Sequence, residues 1–288
     1  MPDPPLSRAL RPNEFPVRKL FEEAVADLPA RISASQSDLN ALGALVSTAL
    51  QAAKCGAALG HSPEQIFAHL QLAADGNTAI FVAATAKAFP VTAWLGDDEA
   101  VYDLAPHASL PHVTRWLNGI FLALLCRDEE SFHRLLEVTP DIWRRSTSGF
   151  PEHEYLFAEA VHATLRGRKD TADMMIAAME ATDPKKHPMP RSAAEMTLAI
   201  SVPAIHGFWC AVAKNATKTF DEALTLAIVK HKEYWEKQTW PDAFRGLLSI
   251  NLLGIAALAH DRGEKFDVDS DYVPMSLVCG EGLGLKGS

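Results

Sequence analysis

The chain has 288 residues, 48% of them hydrophobic and 22% charged, with a formal net charge of -9. This composition is globular, not disordered, and the length suffices for one large domain or two small ones. The negative balance disfavours a nucleic-acid binder, which needs a basic stripe to neutralise phosphates. It suits plain solubility or a basic partner, because complementary charge speeds encounter.

Residues 1–14 are Pro-rich and expected to be extended or mobile. Met1-Pro2-Asp3-Pro4-Pro5 lacks the basic start and apolar run of a signal peptide. Helical periodicity then sets in. Between Asp38 and Leu59, the apolar residues Leu39, Leu42, Leu45, Val46 and Leu50 recur at intervals of three and four. Gly60 stops that helix. Ser62, Pro63 and Gln65 start the next, with Ser62 as N-cap. Asp75-Gly76 reads as a break, followed by a further helix from Asn77 to about Phe89. Residues 90–111 hold Pro90, Gly96, Pro106, Pro111 and the acids Asp97, Asp98 and Glu99. They read as a long loop with one short helix at most.

The second half is more regular. Val113 to Cys126 is an apolar helix, and Arg127-Asp128-Glu129-Glu130 opens a short one carrying Phe132, Leu135 and Leu136. Glu152 to Arg166 follows, closed by Gly167, then Thr171 to Ala181, whose Met174, Met175 and Met179 read as core. Asp183 to Pro190 is a Pro-interrupted surface loop. The remaining helices are Ser192 to Val212, Phe220 to Lys237 and Pro241 to His260. Helix, Asp-containing turn and helix recur unequally around Asp128, Asp170 and Asp221. The expected fold is therefore all-α: stacked helical hairpins, as a bundle or short α-solenoid of about ten helices, with an extended C-terminal segment. Residues 15–279 form one helical domain, with any subdivision near 90–111, and the Gly-rich residues 280–288 form a flexible tail.

Chemistry-bearing motifs are incomplete. His153-Glu154 opens a zinc-protease pattern, but Phe157 stands where the second His is needed. Asp267, Asp269 and Asp271 begin like a calcium loop, but Tyr272 replaces the turn Gly and Val278 the bidentate Glu. The Gly-rich C-terminus has no helix after it to hold a phosphate. Cys55, Cys126, Cys210 and Cys279 lie far apart, as in a reducing cytosol, and are read as small apolar residues and not as reactive thiolates, although Lys54 precedes Cys55 and Arg127 follows Cys126. No Gly-x-Ser-x-Gly occurs, and no uninterrupted apolar run of about 18 residues suggests a membrane span. No catalytic, cofactor-binding or metal-ligating residue is assigned.

The last quarter is the informative part. Thr219 to Glu222 is a capping box. Phe220, Leu224, Ala227, Ile228, His231 and Trp235 then share one helix face, with Tyr234 and Trp235 at its end. The helix from Pro241 is apolar nearly all round, as a central buried helix would be, and Gly263 caps it. Asp261 lies in its last turn, where the macrodipole disfavours a carboxylate by about 0.3–1 kcal/mol. A partly buried pair with Arg262, Lys230 or Lys232 would compensate. Beyond Gly263 the period becomes two: Phe266, Val268, Ser270 and Tyr272 point one way, Asp267, Asp269 and Asp271 the other. Such a strip is either a structural clamp or an acidic contact surface.

Lys230-His231-Lys232-Glu233-Tyr234-Trp235, an apolar helix closing on Asp261-Arg262-Gly263, and Ser270-Asp271-Tyr272-Val273-Pro274 occur in that order. Together they resemble the C-terminal part of the immunity protein 49 family of bacterial polymorphic toxin systems, with Val273 where Leu is usual. The resemblance is clearest over residues 220–275 and extends loosely back to residue 110. It implies a cytoplasmic antidote that binds a cognate toxin domain stoichiometrically, without turnover, cofactor, nucleic acid or membrane. The partner-binding candidates are Asp97, Asp98, Glu99, Asp267, Asp269, Asp271 and Tyr272. The motif residues Lys230, Lys232, Tyr234, Trp235, Asp261, Arg262 and Gly263 are assigned a structural role. A helical adaptor for another protein, or a helical enzyme without a recognisable motif, remain the alternatives.

Overall fold

A computed structural model describes residues 14–213, 219–238, 242–268 and 270–283. Helices dominate, as the periodicity predicts, and one two-stranded antiparallel sheet accompanies them among the described residues. The chain divides into two compact units, Gly149–Cys279 and a unit holding residues 14–148 with 280–283. The division falls after Ser148, not within 90–111.

In the N-terminal unit, α1 (Glu14–Ser35), α2 (Leu42–Ala58), α3 (Pro63–Thr85) and α4 (Val113–Cys126) pack each on the next. Two short helices follow, α5 (Glu129–Leu136) and α6 (Pro140–Arg144). Ser62 caps α3 as expected: its hydroxyl accepts from Gln65 N, and the Gln65 side chain accepts from Ser62 N. Asp75-Gly76 does not break the helix. α3 runs through both, because α2 crosses there so closely that a Cβ on Gly76 would lie 2.7 Å from Val46. Trp116 and Trp143 stack in the core at 4.6 Å, with the Trp116 indole donating to the Leu135 carbonyl.

Residues 90–111 also depart from the expected loop. Val91–Leu95 (β1) and Asp98–Tyr102 (β2) form a hairpin in which Ala93 pairs with Ala100 and Trp94 with Glu99. Ala93, Leu95, Ala100 and Tyr102 are buried, while Thr92, Trp94, Glu99 and Val101 face out. The two-residue turn places Gly96 first, at φ 64°, a position that asks for glycine. Residues 280–283, expected as flexible tail, form a turn closed by Leu283 N donating to Gly280 O; 284–288 lie outside the described residues, as does 1–13 of the expected mobile N-terminal segment.

In the C-terminal unit, α7 (Glu152–Leu165) pairs with α8 (Thr171–Glu180). α9 (Arg191–Met196) continues through a π-turn at Thr197–Ser201 into α10 (Val202–Val212). This run is, by length and composition, apolar enough to cross a membrane, although the sequence suggested no such segment; 44% of its most apolar stretch is buried. α11 (Phe220–Trp235) packs on α10 and on α12 (Ile250–Asp261), and α13 (Met275–Val278) follows. The helix expected from Pro241 starts later. Pro241 lies outside the described residues, Asp242–Gly246 is a 3-10 turn, and α12 opens at Ile250. Its residues Leu252 to Ala257 are all buried, which makes it the central helix anticipated from its composition.

Candidate functional site

The motif residues of the last quarter converge on one cluster. Thr219 and Glu222 form the expected capping box and set the start of α11. About three turns on, the buried His231 donates from Nε2 to the Gly246 carbonyl at 2.9 Å, a bond that fixes its tautomer because a carbonyl can only accept. Its ring meets Tyr272 edge-on at 5.2 Å and lies 6.1 Å from Trp235. Gly246 is required by sterics: a Cβ there would fall 2.1 Å from Trp235 Cγ. Ser249 N donates to Tyr272 O, and Ser270 Oγ accepts from Tyr272 N. The 3-10 turn, the end of α11 and the Tyr272 turn are thus tied together.

The strip before Tyr272 docks as its alternation predicts. Phe266 meets Phe220 edge-on at 4.9 Å, Val268 and Ser270 are buried, and Asp267 and Asp271 face solvent. Asp267 N donates to Asp221 Oδ1, which ties the strip to the first turn of α11. Asp269 lies outside the described residues. Tyr272, proposed from the sequence as a partner contact, is only 4% exposed and belongs to the internal cluster.

Asp261 also differs from expectation. Its side chain is 45% exposed and stands 3.0 Å from His260 Nδ1, so water can solvate the carboxylate that the helix end disfavours. Lys230 pairs with Glu233 at 2.7 Å and Lys232 with Glu236 at 3.8 Å, both along α11. Arg262 Nη2 donates to the Val212 carbonyl, and Gly263 caps α12 at φ 82°. Tyr234 stacks edge-on against Trp235 at 5.1 Å. Trp235, Arg262 and Gly263 thus take part in packing and capping, whereas Lys230, Lys232 and Asp261 lie in ion pairs that water reaches.

The acids Asp97, Asp98 and Glu99 occupy the tip of the hairpin, beside a cleft of about 100 Å³. α3, β1 and α5 line it with Asp75, Thr78, Trp94, Asp128, Glu130 and Arg134, among others. Sequence reasoning assigned none of these lining residues, because they come from three separate segments. Asp75 is 9% exposed, and its carboxylate accepts from Gly96 N at 2.8 Å and from Gln71 Nε2 at 3.0 Å. The same Gln71 nitrogen donates to Asp128 Oδ2 at 2.8 Å, and Asp128 Oδ1 caps α5 through Ser131 N. Burial pushes the Asp75 carboxyl up to about 6. The Gly96 and Gln71 bonds oppose that rise, and the charges on Asp128 and Glu130 add to it.

The hairpin is anchored at both ends. Asp75 holds its turn through Gly96, and Tyr102 OH donates to the Ser35 carbonyl at its base. The outward face between these anchors presents Trp94, 53% exposed, and Val101, 45% exposed.

Among the described residues, His153, Glu154 and Ser201 meet, but not in the order of a nucleophilic triad. Ser201 donates to Glu154 Oε1 at 3.0 Å, and Glu154 Oε1 lies 3.3 Å from His153 Nε2. The carboxylate sits between serine and imidazole, whereas a triad needs the imidazole in the middle to take the serine proton. Burial, then Asp75 and Asp128, pushes the Cys126 thiol up, which disfavours the thiolate despite Arg127. Among the described residues, no three His, Cys, Asp or Glu side chains converge as a metal site.

Comparison with known proteins gives one family. The model of a family described as immunity protein 49 matches residues 57–277. The match starts well before the segment whose motifs carry the resemblance and takes in α3, the hairpin and the cleft. No curated protein and no solved structure matches the chain.

Proposed function

We propose that this chain, which belongs to the immunity protein 49 family, neutralises a cognate bacterial toxin domain by binding it stoichiometrically in the cytoplasm. The family match over residues 57–277 carries this reading. Such an antidote acts by occupation: it covers a toxin surface and needs no turnover of its own. An interface that does this reaches roughly 1,200 Å² or more in total. The anchored hairpin supports the reading, since it presents a half-exposed Trp beside acids on a rigid element. Rigid aromatic anchors lose little freedom on binding. The acidic balance of the chain points to a basic toxin surface.

Co-expression tests the proposal. The chain is produced together with the product of its neighbouring gene, and both growth and co-purification are scored. Rescue of growth with a co-purifying complex is expected. Rescue without a complex would point away from direct binding, and failure of both would refute the antidote role.

A further inference from the structure

We propose that the cleft between α3, β1 and α5 is the receptor for one basic side chain, Arg or Lys, presented by the toxin. The inference rests on the antidote reading and names the docking point within it.

Four observations converge. First, the cleft is strongly one-signed: Asp75, Asp128 and Glu130 line it against a single guanidinium, Arg134. Arg134 is already engaged along α5, donating to Glu130 from Nε at 3.0 Å and from Nη2 at 2.7 Å. The Asp75 and Asp128 carboxylates each accept two of the hydrogen bonds named above, out of about four sites that a carboxylate offers. Second, Trp94 forms part of the wall while remaining 53% exposed. An indole face attracts a cation within about 6 Å, and more strongly once the pair is desolvated.

Third, Thr78 lines the cleft, is 7% exposed, and has a hydroxyl oxygen without a hydrogen-bond partner. A buried polar atom left unpaired is unusual and marks a place where a partner group belongs. An ammonium or guanidinium supplies only donors, and the Thr oxygen can accept. Fourth, the size selects the ligand. About 100 Å³ holds several water molecules or the end of one side chain, and falls short of the roughly 300 Å³ at which small-molecule sites begin. A bare metal ion is a poor alternative, because Gln71 Nε2 already spans Asp75 and Asp128. A buried carboxyl held near pH 6 by desolvation also ionises more readily when a cation arrives. Around the rim, Asp97, Asp98 and Glu99 provide the field that brings a basic surface to this end of the hairpin.

Two cleft variants, one control variant and one mapping experiment test this with the full chain and the toxin domain that it neutralises in co-expression. Trp94→Ala removes an exposed side chain, and Thr78→Val removes an unpaired hydroxyl at nearly constant shape, so both variants should fold. Calorimetric titration should show binding about 30-fold or more weaker for Trp94→Ala, the loss expected of an interface anchor. Thr78→Val should weaken binding several-fold with an unchanged or higher melting temperature. Asp271→Asn, in the other unit, should bind as the unaltered chain does. Hydrogen exchange on the unaltered complex should show new protection across residues 91–102. Unaltered affinity in both cleft variants, or an unprotected hairpin in a stable complex, would overturn the cleft while leaving the antidote role intact. Failure of the unaltered chain to bind would overturn both.

Discussion

Asp75 gives the sharpest physical prediction. Its carboxyl is buried against the hairpin turn, and its pKa moves from 3.8 to about 6, chiefly through desolvation. At 1.36 kcal/mol per unit, a rise of about two units corresponds to about 3 kcal/mol as a ceiling. The sign follows from proton binding. The folded state holds this proton more tightly than the unfolded state does. The associated stability is fully present below about pH 4 and lost as pH rises through about 6. The groups facing Asp75 are Asp128 and Glu130, which raise its pKa further, and the amides of Gly96 and Gln71, which lower it. Asp75→Asn removes the titration while leaving one acceptor oxygen for Gly96 or Gln71. Denaturant unfolding of both chains at intervals from pH 4 to pH 8 isolates the effect as a difference. The unaltered chain should lose about 2–3 kcal/mol relative to the Asn variant over that range, with a midpoint at about pH 5, halfway between 3.8 and about 6. A flat difference would refute the desolvation argument. A difference of opposite slope would show that the Gly96 and Gln71 bonds to the ionised form prevail.

Three further outcomes are expected. Gly246→Ala should destabilise the chain by about 1–3 kcal/mol in thermal or chemical melts, because the new methyl overlaps the Trp235 ring; an unchanged melt would mean that Trp235 moves freely. Asp261→Asn should change stability by less than about 1 kcal/mol, since the carboxylate is half-exposed beside His260; a loss above 2 kcal/mol would restore the buried pair expected from the sequence. Neutralising Asp97, Asp98 and Glu99 together should slow toxin association and flatten its salt dependence more than it speeds dissociation, while neutralising Asp267 and Asp271 should do so less; stopped-flow mixing at low and moderate salt separates the two sets.

What could be read from the sequence was whatever local chemistry determines. Ser62 with Gln65 and Thr219 with Glu222 satisfy amide donors three residues away, so those helix starts were legible without knowing the fold. The alternation after Gly263 was equally legible, because a period of two sorts Phe266, Val268, Ser270 and Tyr272 from the acids directly. Most of the failures involve distant partners. Asp75-Gly76 has the composition of a turn, yet Gly76 serves a close crossing with Val46 of another helix. The hairpin hid behind Ala93 and Ala100, weak strand formers whose burial depends on α3, although Leu95-Gly96-Asp97-Asp98 carried a turn signal that was there to be used. Asp261 was judged by the helix dipole alone, and its exposure decided the matter instead. The cleft could not be seen at all, since Asp75, Trp94 and Glu130 meet only once α3, the hairpin and α5 are packed.

The most direct test of the central claim is a dose titration. A fixed amount of the purified toxin domain is mixed with increasing amounts of this chain, and the toxin activity remaining at equilibrium is measured. Stoichiometric neutralisation predicts a straight decline that ends near one molar equivalent. Complete neutralisation by a small fraction of an equivalent would mean that the chain turns over a substrate, and would contradict it.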